Sequence, residues 1–152
     1  MKIRILCVGK IKESYYRKAI EELKKKISVY APIEIIEVPD EKTPDKASNL
    51  LEEKIKEIEG KRLLSHIRFD EYVFALCIEG EQITTKKFRN QIRQLVNQEK
   101  ESVVFLIGGS LGLHKDVVER ANAKISFSAM TFPHQMMRVL LLEQIYTAIQ
   151  RS

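Results

Sequence analysis

The chain has 152 residues, a length that fits a single domain spanning residues 1–152 with one core. Its composition, 44% hydrophobic and 31% charged with six glycines and four prolines, excludes a disordered or low-complexity chain. The net charge of +5 favours an acidic partner such as nucleic acid, although the excess also fits a lysine-rich solvated surface.

The first residues place Lys2 and Arg4 inside an apolar run without a cleavage site, which predicts a first strand and not a signal peptide. No apolar stretch approaches the roughly 20 residues needed to span a bilayer, so we expect a cytoplasmic protein. Cys7 and Cys77 each stand alone in a strand-like run. We therefore expect buried reduced thiols, with neither a disulfide nor a metal site.

Apolar runs alternate with segments of helical period along the chain, which predicts an α/β fold with a parallel sheet covered by helices. Residues 3–8 are the first strand candidate. An apolar stripe from Tyr16 to Tyr30 predicts an amphipathic helix after it. Residues 33–38 then predict a second strand.

A second helix is predicted to start at Thr43 and Pro44, with the proline in the first helical position. It should end near Gly60 or a little beyond. Its expected buried stripe consists of Ala47, Leu50, Leu51, Ile55 and Ile58.

Residues 72–78 form a continuous apolar run, typical of a strand buried on both faces, and residues 79–81 are expected to end it. Thr84 or Thr85 is the predicted cap of a third helix. Its buried stripe should contain Phe88, Ile92, Leu95 and Val96, and residues 102–107 predict the next buried strand.

The last part of the chain predicts a glycine loop at residues 108–112, a short helix over 115–121 and a short strand over 124–127. A final helix is expected to open at residues 131–133. Apolar residues cover most of the circumference of this helix, so it must be buried on several sides. We expect its own core and a second subunit to cover it.

The glycine loop follows a buried strand, at the edge of the sheet where α/β proteins bind ligands. Its spacing, G-G-x-x-G, matches neither the dinucleotide fingerprint nor the phosphate-binding P-loop. The pattern alone fits a strand-to-helix turn that needs positive φ and a ligand site equally well.

Residues 126–135 combine small residues, hydroxyls and apolar side chains in one connection. Such a loop offers the apolar walls and few hydrogen bonds that an adenosyl group needs. The alternative is that Ser128 and Thr131 are local caps while Phe127 and Phe132 belong to the core.

Taken together, these motifs resemble the RlmH/YbeA family of SPOUT rRNA methyltransferases, and the resemblance runs from Met1 to about Ile149. It implies an α/β knot, in which the C-terminal stretch threads through a loop, and a homodimer that binds S-adenosylmethionine. Family members methylate N3 of a pseudouridine in 23S rRNA on the assembled ribosome. The resemblance is carried by residues 2–3, 8–10, 37–42, 108–113, 126–140 and 142–146.

The resemblance also assigns roles to individual residues. The cofactor supplies the methyl group, so the protein must hold it in line with the ring nitrogen and help to remove the nitrogen's proton. The candidates for catalysis are His134, Arg138 and Glu143, with a capping or packing histidine and a structural or intersubunit Arg–Glu pair as the alternatives. The expected cofactor contacts are Leu76, Gly108, Phe127, Ser128, Ala129, Met130, Thr131 and Phe132.

Binding of rRNA requires basic groups that face phosphates. Lys86, Arg89 and Arg93 share one face of the third helix, and Lys10 follows the first strand, so these are the candidate RNA contacts, with a solvated face as the alternative. The chain has no tryptophan and no ribonucleoprotein-type aromatic motif, so no stacking platform is predicted.

Family members continue into a short tail with a Pro-Tyr-His motif, whereas this sequence ends at Gln150-Arg151-Ser152. That tail supplies a tyrosine and a histidine close to the cofactor and the substrate. The alternative function is therefore a catalytically impaired dimer that binds cofactor and RNA, and a plain interaction domain is a further one.

Overall fold

The computed structural model describes residues 1–150 of the chain. Strands and helices alternate through this part, which confirms the predicted α/β class. The strands are β1 (Lys2–Val8), β2 (Ile33–Val38), β3 (Tyr72–Gln82), β4 (Ser102–Ile107) and β5 (Ala123–Ser126). The helices are α1 (Ser14–Ser28), α2 (Asn49–Leu64), α3 (Thr85–Asn97), α4 (Lys115–Arg120) and α5 (His134–Ile149).

The strands form one parallel sheet in the order β2-β1-β4-β3-β5. The chain moves in one direction across the sheet from β1 to β2 and from β3 to β4, and in the other from β2 to β3 and from β4 to β5. Right-handed crossovers require the two directions to use opposite faces. Accordingly, α1 and α3 lie with α5 on one face, and α2 and α4 lie on the other.

The continuous apolar runs of the sequence are explained by burial on both faces. Along β1, Ile5 packs toward α1, α3 and α5, while Leu6 packs toward α2 and α4. Phe105 and Leu106 divide in the same way on β4, the middle strand.

The predicted start of α2 is wrong. The helix begins at Asn49, and the hydroxyl oxygen of Ser48 accepts a hydrogen bond from the Leu51 amide at 3.1 Å. Pro44 lies in a preceding turn, where its carbonyl accepts from the amide of Ala47. Leu50, which was expected in the core, is 83% exposed. A serine cap thus decides the start of this helix over a proline signal.

The predicted end of β3 is also wrong, because the strand continues to Gln82. Its register with β5 shifts between Leu76 and Glu81, as in a bulge. A Cβ on Gly80 would lie only 2.7 Å from backbone atoms of Ile125, so glycine lets the two strands approach here. Ile78 lies in the shifted stretch and is 55% exposed, not buried as predicted.

Helix α3 is capped as predicted by Thr84, whose hydroxyl oxygen accepts from the amide of Lys87 at 3.0 Å. Its stripe is buried except for Val96, which lies near the exposed end of the helix. Tyr30, which was expected in the stripe of α1, is also exposed, because α1 already ends at Ser28.

Helix α5 begins directly after Pro133 and packs against α1, α3 and β4. Leu141, Leu142 and Ile145 on its inner face are fully buried. Residues such as Val139 and Leu140, on the other side, stay half-buried. The threading of the C-terminal stretch remains a prediction.

Candidate active site

A cleft of about 520 Å³ lies at the carboxyl edge of the sheet, where β3, β4 and β5 end. This volume falls within the range of small-molecule sites. Its walls come from residues 76–79 of β3, the glycine turn at residues 108–113, and the connection between β5 and α5. The two loops singled out in the sequence therefore meet in one cavity.

The glycine turn depends on its glycines for its own shape. A Cβ on Gly108 would lie 2.6 Å from the carbonyl carbon of Gly112. Gly112 has φ +87, and its amide donates to the carbonyl of Gly109 at 3.0 Å. Positive φ at this point is readily adopted only by glycine. The turn thus confirms the conformational interpretation while its backbone also faces the cleft.

The connection before α5 is held by two serine hydroxyls. Ser126 Oγ donates to the Ser128 carbonyl at 2.8 Å, and Ser128 Oγ accepts from the Met130 amide at 2.9 Å. Phe127 packs edge-on against Phe88, with ring centroids 6.0 Å apart. Local hydrogen bonding and core packing therefore fix the loop, and the same residues line the cleft.

Of the expected cofactor contacts, Ala129 alone is exposed on the loop without forming part of the cleft wall. Cys77 was expected to be buried, but it is half-buried and lines the cleft, because it lies where the register of β3 shifts. Cys7 is buried as predicted, and burial raises its pKa to about 11. The cleft-lining residues among those expected are Leu76, Gly108, Phe127, Ser128, Met130, Thr131 and Phe132.

His134 lines the cleft from the first turn of α5. Its pKa is lowered, first by partial burial and then by the positive charges of Arg138 and Lys12, while Asp40 acts in the opposite direction. Because the pKa lies below the ordinary value of 6.5, the imidazole is neutral at neutral pH and can accept a proton.

Arg138 lies one turn further along α5 and is 2% exposed. Its guanidinium contacts Glu37 at 2.6 Å and donates to the carbonyls of Val8 at 3.0 Å and Gly9 at 2.6 Å. Its partner within the chain is therefore Glu37 and not Glu143. The guanidinium joins the start of α5 to the ends of β1 and β2, and it does not line the cleft.

Glu143 is exposed and lies nine residues after His134, about 14 Å further along the helix axis. It does not line the cleft. Of the three catalytic candidates, the structure places only His134 in the cleft of its own chain.

The candidate RNA contacts lie on two elements. Lys10 is exposed in the loop after β1, and Lys86 is exposed in the first turn of α3. Arg89 and Arg93 are half-buried further along the same helix. The interpretation of the family's Pro-Tyr-His tail concerns the chain from Arg151 onward, which lies outside the described residues.

Glu59 is a buried carboxyl group that the sequence reasoning missed. It is 5% exposed, and its Oε2 accepts from the Glu41 amide at 3.0 Å. Its Oε1 has no hydrogen-bond partner within residues 1–150 and would lie 3.4 Å from a Cβ on Gly109. Burial raises its pKa, and Asp40 adds to the effect. The available signal was its position four residues from both Ile55 and Leu63.

Replacement of Glu59 by glutamine should change how stability depends on pH. Because its folded-state pKa is raised above 4.5, the folded protein binds this proton more tightly than the unfolded chain. The free energy of unfolding therefore falls as pH rises from 4.5 through the raised pKa, and Glu59→Gln should lose that fall. Urea denaturation from pH 4.5 to neutrality would measure it.

Glu57→Gln is the matched control on the same helix. The pKa of Glu57 is lowered by Lys61, so the charged form of Glu57 stabilises the fold. Above the unfolded pKa, Glu57→Gln should therefore be slightly less stable than the wild type, whereas Glu59→Gln should gain stability relative to the wild type. A Glu59→Gln variant whose stability parallels that of the wild type at every pH would contradict the assignment.

The parallel sheet and its carboxyl-edge cleft have the architecture expected of a SPOUT methyltransferase, and the family model "Predicted SPOUT methyltransferase" matches residues 1–150. A relative from Bifidobacterium animalis subsp. lactis (strain AD011) is named ribosomal RNA large subunit methyltransferase H. It is 52% identical over 150 residues, covering 99% of this chain and 94% of that protein. The chain therefore belongs to the RlmH family of SPOUT methyltransferases.

No helix in residues 1–150 is long and apolar enough to cross a membrane. In the same part of the chain, no group of three or more His, Cys, Asp and Glu residues is arranged to hold a metal ion.

Proposed function

We propose that the protein transfers a methyl group from S-adenosylmethionine to N3 of a pseudouridine in large-subunit rRNA of the ribosome, in the cytoplasm. The observation that carries this proposal is the cleft that joins the glycine turn to residues 126–134. The name of the Bifidobacterium relative, a large-subunit rRNA methyltransferase, supports the substrate.

The cleft fits an adenosyl cofactor chemically. Leu76, Phe127 and Phe132 supply apolar surface for a base and ribose, and the turn from Gly108 to Gly112 supplies backbone donors and acceptors. S-adenosylmethionine supplies a methyl group on a sulfonium. The protein's contribution is to hold the acceptor nitrogen in line and to exclude water.

His134 is the proposed proton acceptor for the ring N–H, since its imidazole is neutral and lies in the cleft. Arg138 is better suited to positioning, because its guanidinium is held by Glu37 and two carbonyls. Glu143 would have to act in the site of another subunit. The proposed RNA contacts remain Lys10, Lys86, Arg89 and Arg93, because all four are basic and are exposed or half-buried.

A homodimer is part of the proposal. A groove of about 380 Å³ lies between the start of α3 and α5, next to the cofactor cleft, and shares Phe127 and Phe132 with it. Leu140 and Gln144 line the groove from α5, and the side-chain oxygen of Gln144 has no hydrogen-bond partner in residues 1–150. A second copy of the chain that covers the groove would bury Leu140 and Gln144 further.

The test is methyl transfer from labelled S-adenosylmethionine to ribosomes that lack the modification, with the product nucleoside identified by mass spectrometry. Label in N3-methylpseudouridine of large-subunit rRNA is the expected result. No label in rRNA, despite clear cofactor binding, would overturn the assigned reaction. Sedimentation of the same protein should give the mass of two 17.7 kDa chains.

Gly108→Ala should weaken binding of S-adenosylmethionine by at least about tenfold. The new methyl group would lie 2.6 Å from the Gly112 backbone and would open the turn that forms one wall of the cleft. Gly60→Ala, on α2 outside the cleft, is the matched control, since its new methyl group would also be crowded, at 2.9 Å from a side-chain atom of Val117, and it should bind normally. Calorimetric titration measures both, and equal affinities would argue against the turn as a cofactor wall.

A further inference from the structure

The first turn of α1 presents an exposed aromatic ring at the carboxyl edge of the sheet, next to the basic side chains of the loop that follows β1. Tyr15 is 63% exposed. Its ring lies 4.5 Å from that of Tyr16, which is half-buried and packs against the core. The outer ring is thus held against an anchored one while most of its surface faces solvent.

The loop between β1 and α1 is fixed in place and directs lysines outward. The buried Ile11 donates its amide to Glu37 at 3.1 Å, and Arg17 donates to the carbonyls of Ile11 and Lys12 at 3.1 and 3.3 Å. Lys10 and Lys12, on either side of Ile11, are both exposed. The neighbouring Glu13 offsets part of this charge.

The loop adjoins the cleft. The amide of Lys12 donates to the side-chain oxygen of Gln135 at 3.3 Å, and the preceding residue, His134, lines the cleft. The charge of Lys12 also contributes to the lowered pKa of His134. A polynucleotide whose target base enters the cleft would therefore pass over this loop.

We propose that Tyr15 stacks on a nucleobase flanking the target nucleotide, while Lys10 and Lys12 contact the adjoining phosphates; this proposal rests on the function proposed above. Every base has a π-face, and an aromatic ring stacks on it irrespective of sequence. Although the composition predicts no stacking platform, a tyrosine held on a second tyrosine supplies one.

Tyr15→Ala and Tyr15→Leu should each raise KM for unmodified ribosomes by about tenfold. Tyr15→Trp, which keeps a π-face, should stay close to the wild type. The kcat value and the affinity for S-adenosylmethionine should not change, since Tyr15 does not line the cleft. Phe69→Ala, which removes a ring that is 96% exposed at the opposite edge of the sheet, is the matched control and should have no effect.

Equilibrium binding to ribosomes, measured by co-sedimentation, separates this proposal from the proposed reaction. If the wild type transfers methyl groups and Tyr15→Ala matches it in both KM and binding, the stacking role is overturned and the reaction stands. If the wild type binds ribosomes without methylating them, the reaction fails and the binding of the Tyr15 variants still decides. Wild-type protein that neither binds nor methylates ribosomes overturns both.

Two further outcomes would count against stacking. Full activity in Tyr15→Leu would show that apolar bulk is sufficient. A change in oligomeric state in Tyr15→Ala would assign the ring to a protein contact.

The lysines are tested by the salt dependence of ribosome binding. In Lys10→Ala and in Lys12→Ala, the slope of log affinity against log salt should each time become smaller by about one, the loss of one phosphate contact. Unchanged slopes would remove the lysines from the proposed surface.

Discussion

Arg138→Met is expected to reduce the free energy of unfolding by about 3 kcal/mol, at the lower end of the values for a broken buried ion pair. The guanidinium is almost fully buried, and its loss would leave the carbonyls of Val8 and Gly9 without this donor and Glu37 without its counter-charge, although Glu37 keeps the amide of Ile11. The side chain of Glu37 is 33% exposed, so water can replace part of the contact. Urea denaturation measures the loss.

Arg62→Met is the matched control. Arg62 also donates to a backbone carbonyl, that of Pro39 at 2.9 Å, and lies 3.4 Å from Glu41, but its side chain is 33% exposed. The loss there should stay below about 1 kcal/mol. Similar losses in the two variants would show that burial of the Arg138 contact has no special weight.

Arg138→Lys separates a structural role from a catalytic one. A lysine can contact Glu37, but it cannot donate to two carbonyls and a carboxylate in the fixed geometry of a guanidinium. We expect an intermediate stability and, in the folded protein, a kcat within a few-fold of the wild type. If Arg138→Lys is stable but has no turnover, Arg138 takes part in catalysis and is not only structural.

Most of the fold could be predicted because hydrophobic periodicity reports burial directly. The two-sided burial of β1 and β4 produces continuous apolar runs, and the stripes of α1 and α3 follow the sheet face that they cover. The errors arose where a local interaction decided the boundary. Helix α2 starts after the cap Ser48 and not at Pro44. Strand β3 continues through residues 79–81, where a turn was predicted, because Gly80 lets β5 approach closely.

The site could be predicted only in part. The glycine turn and residues 126–134 are each one continuous segment of the sequence, and the resemblance linked the two segments before the structure brought them together. Glu59, by contrast, comes from α2, and its burial depends on packing beneath the turn. The partner of Arg138 is 101 residues away in the chain, and no local pattern encodes such a pairing.

His134→Ala is expected to lower kcat by about 100-fold or more, as the loss of a general base does. S-adenosylmethionine affinity should remain within a few-fold, because the rest of the cleft wall is unchanged. His66→Ala, at an exposed histidine following α2, is the matched control and should retain full activity. Single-turnover methyl transfer to ribosomes measures the chemical step apart from binding.

The pH profile gives a second, independent test of the same residue. Burial and the charges of Arg138 and Lys12 lower the pKa of His134 below 6.5, so its base form persists at neutral pH and is lost only as pH falls through that lowered value. The wild-type kcat should therefore decline on the acid side below pH 6.5, and the residual activity of His134→Ala should lack that decline. If the acid limb persists in the variant, another group accepts the proton, and the role of His134 is confined to shaping the cleft.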